Sequence, residues 1–179
     1  MEFIDAHHHL WDLNALDYVW LKKIGKPKPF GDPTGIQRNY CIEEYLLDVR
    51  AVDDFDLVGS VHVQADGEIP DPVSETEWVQ SVIDASGFPS AIVGFVNLLN
   101  ENAQQTIQQH ATYRSFRGVR QIIGYLEERP DLSFVHHSLL DSPIWREQYS
   151  LLGTIGLSFD LQLYPEQMTY SAEFFADYP

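Results

Sequence analysis

Hydrophobic positions along this chain come in two alternating textures. Short, near-continuous apolar runs fall at 3–7, 57–64 (LVGSVHVQ), 91–98 (AIVGFVNL), 116–122 (FRGVRQI) and 157–163 (LSFDLQL). Between them, segments at 42–53, 75–86, 101–113, 139–152 and 166–177 carry apolar residues at helical spacing, as in the stripe Trp78, Val79, Val82, Ile83. The first texture reads as strands buried on both faces, the second as amphipathic helices. The punctuation agrees. Ser74 before Glu75 and Glu77, Asn100 before Glu101, and Ser142-Pro143 are helix-start signals, while Gly87 and Gly153 suit helix C-termini. Five strand–helix units in alternation predict an α/β protein with a parallel sheet.

Two architectures satisfy that pattern. One is an open five-stranded sheet. The other is a (β/α)8 TIM-like barrel, which takes about 250 residues; the 179 residues here would then supply the first five units, as one partial barrel domain over 1–179. Two long irregular segments, 10–41 and 124–137, each follow a strand. In a barrel both belong over the C-terminal face, where sites are built. The first carries Trp11, Tyr18, Trp20 and Phe30, the composition of a pocket wall or lid.

The same logic picks out candidate chemistry at the strand ends. In Asp5-Ala6-His7-His8-His9, strand alternation puts His7 and His9 on one side and His8 on the other. Two imidazoles on one face make half a metal site or a catalytic pair. Their place inside a hydrophobic strand pattern argues against a tag remnant. Later strands offer His62 and Gln64, Asn97, Arg117 and Arg120, and Asp160, Gln162 and Tyr164. Arg120 sits in an apolar run and needs a carboxylate partner, from protein or substrate. Arg117 reads as a structural ion pair, Gln64 as a substrate contact or a loop brace, and His62 as packing. Asn97 is weaker, His136-His137 read as exposed loop histidines, and Glu75 to Trp78 are explained by capping and packing. Neither a Gly-rich phosphate loop nor a Gly-x-Ser-x-Gly elbow occurs.

Composition narrows the partners. With 44% hydrophobic and 13% aromatic residues the chain supports one core, and its net charge of −16 comes from scattered acids. That balance argues against nucleic acid and membrane surfaces as partners. No secretory leader or apolar run of about 18 residues is visible. One cysteine, Cys41, fits a reducing compartment, so a cytoplasmic location is expected.

Ile4 to Asp12, Val63-Gln64-Ala65 with Glu75-Thr76-Glu77-Trp78, Val93 to Leu98, and Phe116 to Gln121 together resemble the amidohydrolase superfamily, in the amidohydrolase-related branch that holds sugar lactonases and pyrone-dicarboxylate lactonase. The resemblance implies a distorted (β/α)8 barrel that opens a lactone ring with activated water. His7 and His9 would be its strand-one His-x-His pair, and Arg120 its substrate-holding arginine; Gln64 and Gln162, picked out by their strand ends, join Arg120 as candidate substrate contacts. It implies a small lactone, anionic ones included, and one divalent ion, zinc foremost, or none; a homo-oligomer is left open. The family's strand-six histidine and strand-eight aspartate would fall beyond Pro179. The chain is therefore expected to be an N-terminal portion, inactive alone, with two open strand edges. A decarboxylase of the same superfamily and a non-catalytic truncated copy are the alternatives.

Overall fold

The structure is a computed structural model that describes residues 1–23, 31–65 and 67–178. Phe30 of the expected pocket wall lies outside them. Five strands, β1 (Glu2–His8), β2 (Asp56–Val63), β3 (Ala91–Phe95), β4 (Phe116–Ile122) and β5 (Ser158–Gln162), form one parallel sheet in the order 1-2-3-4-5. Open doubly wound sheets reverse their strand order at a switch point. This sheet has no reversal, so it is a run of consecutive barrel units, a curled half-barrel. The edges of β1 and β5 are both unpaired among the described residues. No described helix is long and apolar enough to cross a membrane.

Helices α1 (Val19–Lys22), α2 (Ile42–Arg50), α3 (Pro72–Ser86), α4 (Ala103–His110), α5 (Pro143–Thr154) and α6 (Met168–Phe175) fill the connections. Helix α3 starts earlier than Ser74-Glu75 suggested. Asp71 is its cap, accepting from Val73 N–H at 3.0 Å, and Pro72 takes the first turn, where no N–H is needed. Ser142 caps α5 as expected. Asn100 does not start α4, whose flanking residue is Asn102. Gly87 ends α3 in the left-handed conformation (φ 82°), but α5 runs through Gly153, and Gly156 (φ 72°) makes the turn instead.

Packing is concentrated on the helix side. Trp145 of α5 is fully buried, stacks on Tyr149 and meets Phe159 of β5 edge-on, while its indole N–H donates to Gln121 Oε1 at 2.9 Å. On the opposite, concave side Ile4 is 64% exposed. A half-barrel leaves its inner wall uncovered.

His110 closes the seam between α4 and the sheet. Its Nδ1 accepts from Thr76 Oγ1 at 2.9 Å and its Nε2–H donates to Phe95 O at 3.0 Å, with the ring stacked on Phe116. A methyl group on Gly94 would lie 3.0 Å from that ring, so the glycine makes the space. The neutral imidazole makes both contacts, and burial pushes its pKa down to about 4. An unfolded histidine takes up its proton near pH 6.5, so the stability carried by neutral His110 is complete above that pH and is lost as pH falls toward about 4. Melting temperatures across this window are expected to fall less steeply in His110→Gln than in wild type. Parallel curves would refute the assignment.

Candidate functional site

Polar side chains from several strand ends meet on the concave side. His7 and His9 come together edge to face, ring centroids 4.9 Å apart and Nε2 atoms 3.2 Å apart. His8 turns the other way, stacks on Tyr45 of α2 and meets Ser60 Oγ at 3.1 Å. His9 Nδ1 lies 2.7 Å from the carbonyl oxygen of Val63, which can only accept. The ring proton therefore sits on Nδ1, and Nε2 offers its lone pair to His7. Burial, helped by the nearby Arg120 charge and opposed by the Val63 bond, pushes His9 down to about 3.

The pair suits a metal ion as two adjacent ligands. Two nitrogens on a tetrahedral zinc, each bonded at about 2.0–2.1 Å, stand about 3.3 Å apart. The observed spacing matches, and the Val63 carbonyl is the outer partner that fixes a ligating histidine's tautomer. Among the described residues no group of three or more His, Cys, Asp or Glu forms around an ion site.

Arg120 stands on β4 in register with Phe95 and Asp160. It is only 7% exposed, donates to Gln64 O at 2.7 Å and to Gln162 Oε1 at 3.2 Å, and buries its Nε without a partner. Of the two carboxylate sources expected for it, the protein supplies none at salt-bridge distance among the described residues. Burial lowers its pKa while Asp160 and Glu75 act through space to raise it. A cation held this way favours an acceptor-rich ligand.

His9, Gln64, Arg120 and Gln162 share one cavity of about 690 Å³, walled by Trp11 and Trp20 from the first long segment and by Phe134 from the second. The volume suits a small molecule. Gln64 is buried, and its side-chain Oε1 has no partner. Tyr164 braces the wall by donating to Leu132 O at 2.6 Å.

Other candidates fall outside this group. Asn97 accepts from Leu99 N–H and Gln121 Nε2, and so holds a turn. Arg117 forms no ion pair among the described residues; it donates to the carbonyls of Arg114 and Phe116. His136 and His137 are exposed, and Cys41 is half-buried with its Sγ 3.8 Å from Trp11 O.

The sequence reading missed an acid behind the pocket. Glu75 of α3 is 3% exposed and accepts from Ala65 N–H at 2.9 Å. Burial pushes it up to about 8, against the pull of that bond, Arg120 and Tyr18. His62 Nε2 lies 3.6 Å away, too far for a hydrogen bond; burial pushes His62 down to about 3, so the two are neutral neighbours rather than an ion pair. The signal was present: Glu75 shares a helical stripe with Val79 and Ile83, and an acid on a core stripe needs buried partners.

No family model matches the chain. It is 36% identical over 176 residues to the uncharacterized protein y4mH of Sinorhizobium fredii, and 25% identical over 178 residues to an L-fucono-1,5-lactonase of Burkholderia ambifaria. It covers 58% and 53% of those proteins, so it spans little more than half the length of the curated relatives it matches. Among solved structures, an amidohydrolase of Burkholderia multivorans with bound zinc superposes with a TM-score of 0.66 at 21% identity, over 97% of this chain and 53% of that one. The chain has the amidohydrolase fold. The fold expected from the strand-end motifs is thereby met, with five units of the barrel wall in chain order.

Within this half-barrel the tautomer of His9 is directly measurable. Nitrogen-15 spectra of the imidazoles are expected to show His9 protonated on Nδ1 and neutral through pH 5. An Nε2-protonated His9, or one charged at pH 5, would contradict the geometry.

Proposed function

We propose that the chain supplies the first five units of a hydrolase site that opens the ring of a sugar-acid or dicarboxylate lactone. The observation that carries this reading is the cavity in which the neutral His9 Nε2 and the unpaired Arg120 charge face one ligand space. The named lactonase among the relatives supports it. In lactone hydrolysis the oxygen of water bonds to the ring carbonyl carbon, the carbon–ring oxygen bond breaks, and a proton passes to the departing oxygen. A strongly acidic protein would repel an anionic substrate, and Arg120 is the local cation that offsets this.

Each residue then has a task. Arg120, which lines the cavity, holds a carboxylate, hydroxyl or carbonyl oxygen of the substrate through its guanidinium, while Gln162 and the Gln64 carbonyl keep that group in place. Gln64 lines the same cavity as a further substrate contact. Trp11 and Trp20 exclude water from the ring faces. His7 and His9 orient the carbonyl end. A divalent ion, zinc foremost as in the Burkholderia multivorans structure, would be held by His7 Nε2 and His9 Nε2 and when bound supplies Lewis acidity and an acidified water. The aspartate base of the resemblance has no counterpart in the tasks these residues take, so the chain by itself is assigned binding rather than turnover. A cytoplasmic location belongs to this reading, and the single cysteine supports it.

The test is a panel of sugar-acid and dicarboxylate lactones, followed by acid release, with the complete polypeptide that carries these residues. Turnover of at least one lactone is expected, with kcat/KM falling at least about 10²-fold in His7→Ala and in His9→Ala. Elemental analysis is expected to show zinc lost in both variants. A panel with no turnover would refute the lactone reading, and carbon dioxide release from an unsaturated acid would replace it with a decarboxylase.

A further inference from the structure

Glu75 takes no part in the chemistry above, yet it joins three pieces of the pocket. Its Oε1 accepts from Ala65 N–H at 2.9 Å, and Tyr18, which acts on the same carboxyl group, packs in one cluster with Trp20 and Ala65. The other side of that peptide is also held, because Trp20 Nε1–H donates to Ala65 O at 2.9 Å. One residue earlier, Gln64 N–H donates to Val93 O at 2.8 Å and Gln64 O accepts from Arg120. Residues 64–65 are therefore clamped between the acid on α3, the indole of the first long segment and the cation on β4. Tyr18, Leu21 and Ile69 pack together with Trp11, Trp20 and Ala65, so the aromatic wall rests on the same point.

We propose that Glu75 is a positioning residue of the pocket: from behind β2 it fixes residues 64–65 and, through Tyr18 and Ala65, ties the tryptophan wall to the strand end that carries Gln64. The proposal rests on the lactone reading for the identity of the ligand, though not for the geometry. An unbraced Ala65 peptide frees Trp20 and lets Gln64 rotate out of the cavity, which weakens substrate binding. The charged or titratable groups facing Glu75 are His62 from β2, Tyr18 from the segment before α1, and Arg120 from β4. Burial holds the carboxyl up at about 8 against the pull of Arg120, and His62 beside it is neutral, so the acid serves as an acceptor with a proton of its own rather than as half of an ion pair. Glutamine offers the same carbonyl oxygen and an N–H in place of the O–H, whereas leucine fills the space with neither.

Hydrogen exchange in the full chain reads the brace directly. In Glu75→Leu the Ala65 amide and the Trp20 indole N–H are expected to exchange at least about tenfold faster, the loss of one buried hydrogen bond, while Val119 and the Trp145 indole keep their protection. Glu75→Gln is expected to restore both to within about threefold of wild type, since the acceptor is kept. In the lactone assay Glu75→Leu raises KM at least about tenfold with kcat nearly unchanged, the signature of lost binding rather than lost chemistry. Unmoved Ala65 and Trp20 signals would overturn the proposal. So would uniformly faster exchange across the core in Glu75→Leu or a failed rescue by Glu75→Gln, either of which marks a merely structural acid. If no lactone is turned over, the lactone reading fails by itself and the exchange rates still decide the role of Glu75.

Discussion

A guanidinium buried without a salt bridge among the described residues organises this half-barrel. Arg120 is taken out of water, given two carbonyl oxygens as hydrogen-bond partners, and left with no carboxylate at salt-bridge distance among the described residues. Such a charge is tolerated where the fold supplies dipoles and where a ligand completes the set. Its neighbours respond to it. His9 and His62 are held neutral by burial and by this cation, and the same field opposes the upward shift of Glu75. Neutral imidazoles are the state in which Nε2 can bind a metal or meet a carbonyl.

The parallel sheet is what makes this economy of charge feasible. In a sequential order every strand delivers its C-terminal end to the same rim. His9 beyond β1, Gln64 beyond β2, Arg120 on β4 and Gln162 at the end of β5 thereby reach one cavity although they are far apart in sequence. Helix-side packing around Trp145, and the His110 seam under β3, keep those ends in register without touching the site.

Much of this was legible from residue pattern because strands and their exposed ends obey local rules. The β4 boundaries coincide with the apolar run 116–122, and the alternation of His7, His8 and His9 holds. The run 91–98 overshot because Val96 and Leu98 are buried in a turn held by Asn97, so hydrophobicity outlasted the strand. The start of α3 was misplaced because Ser74 imitates a cap that Asp71 and Pro72 already provide. Glu75 was hidden for a different reason. Its place on the core stripe with Val79 and Ile83 marks it as buried, but its bonding partner Ala65 and its neighbour His62 come from elsewhere in the chain, so helix periodicity alone does not tell what it braces. Arg117 illustrates the converse, a charge whose partners proved to be backbone carbonyls.

We propose Arg120 as the group that recognises the ligand. Calorimetric titration of a ring-opened sugar acid into wild type and Arg120→Met, at low and moderate salt, addresses this most directly. Binding that weakens with salt in wild type and falls at least about tenfold in the variant is the expected result. Equal affinity in the two proteins would contradict it.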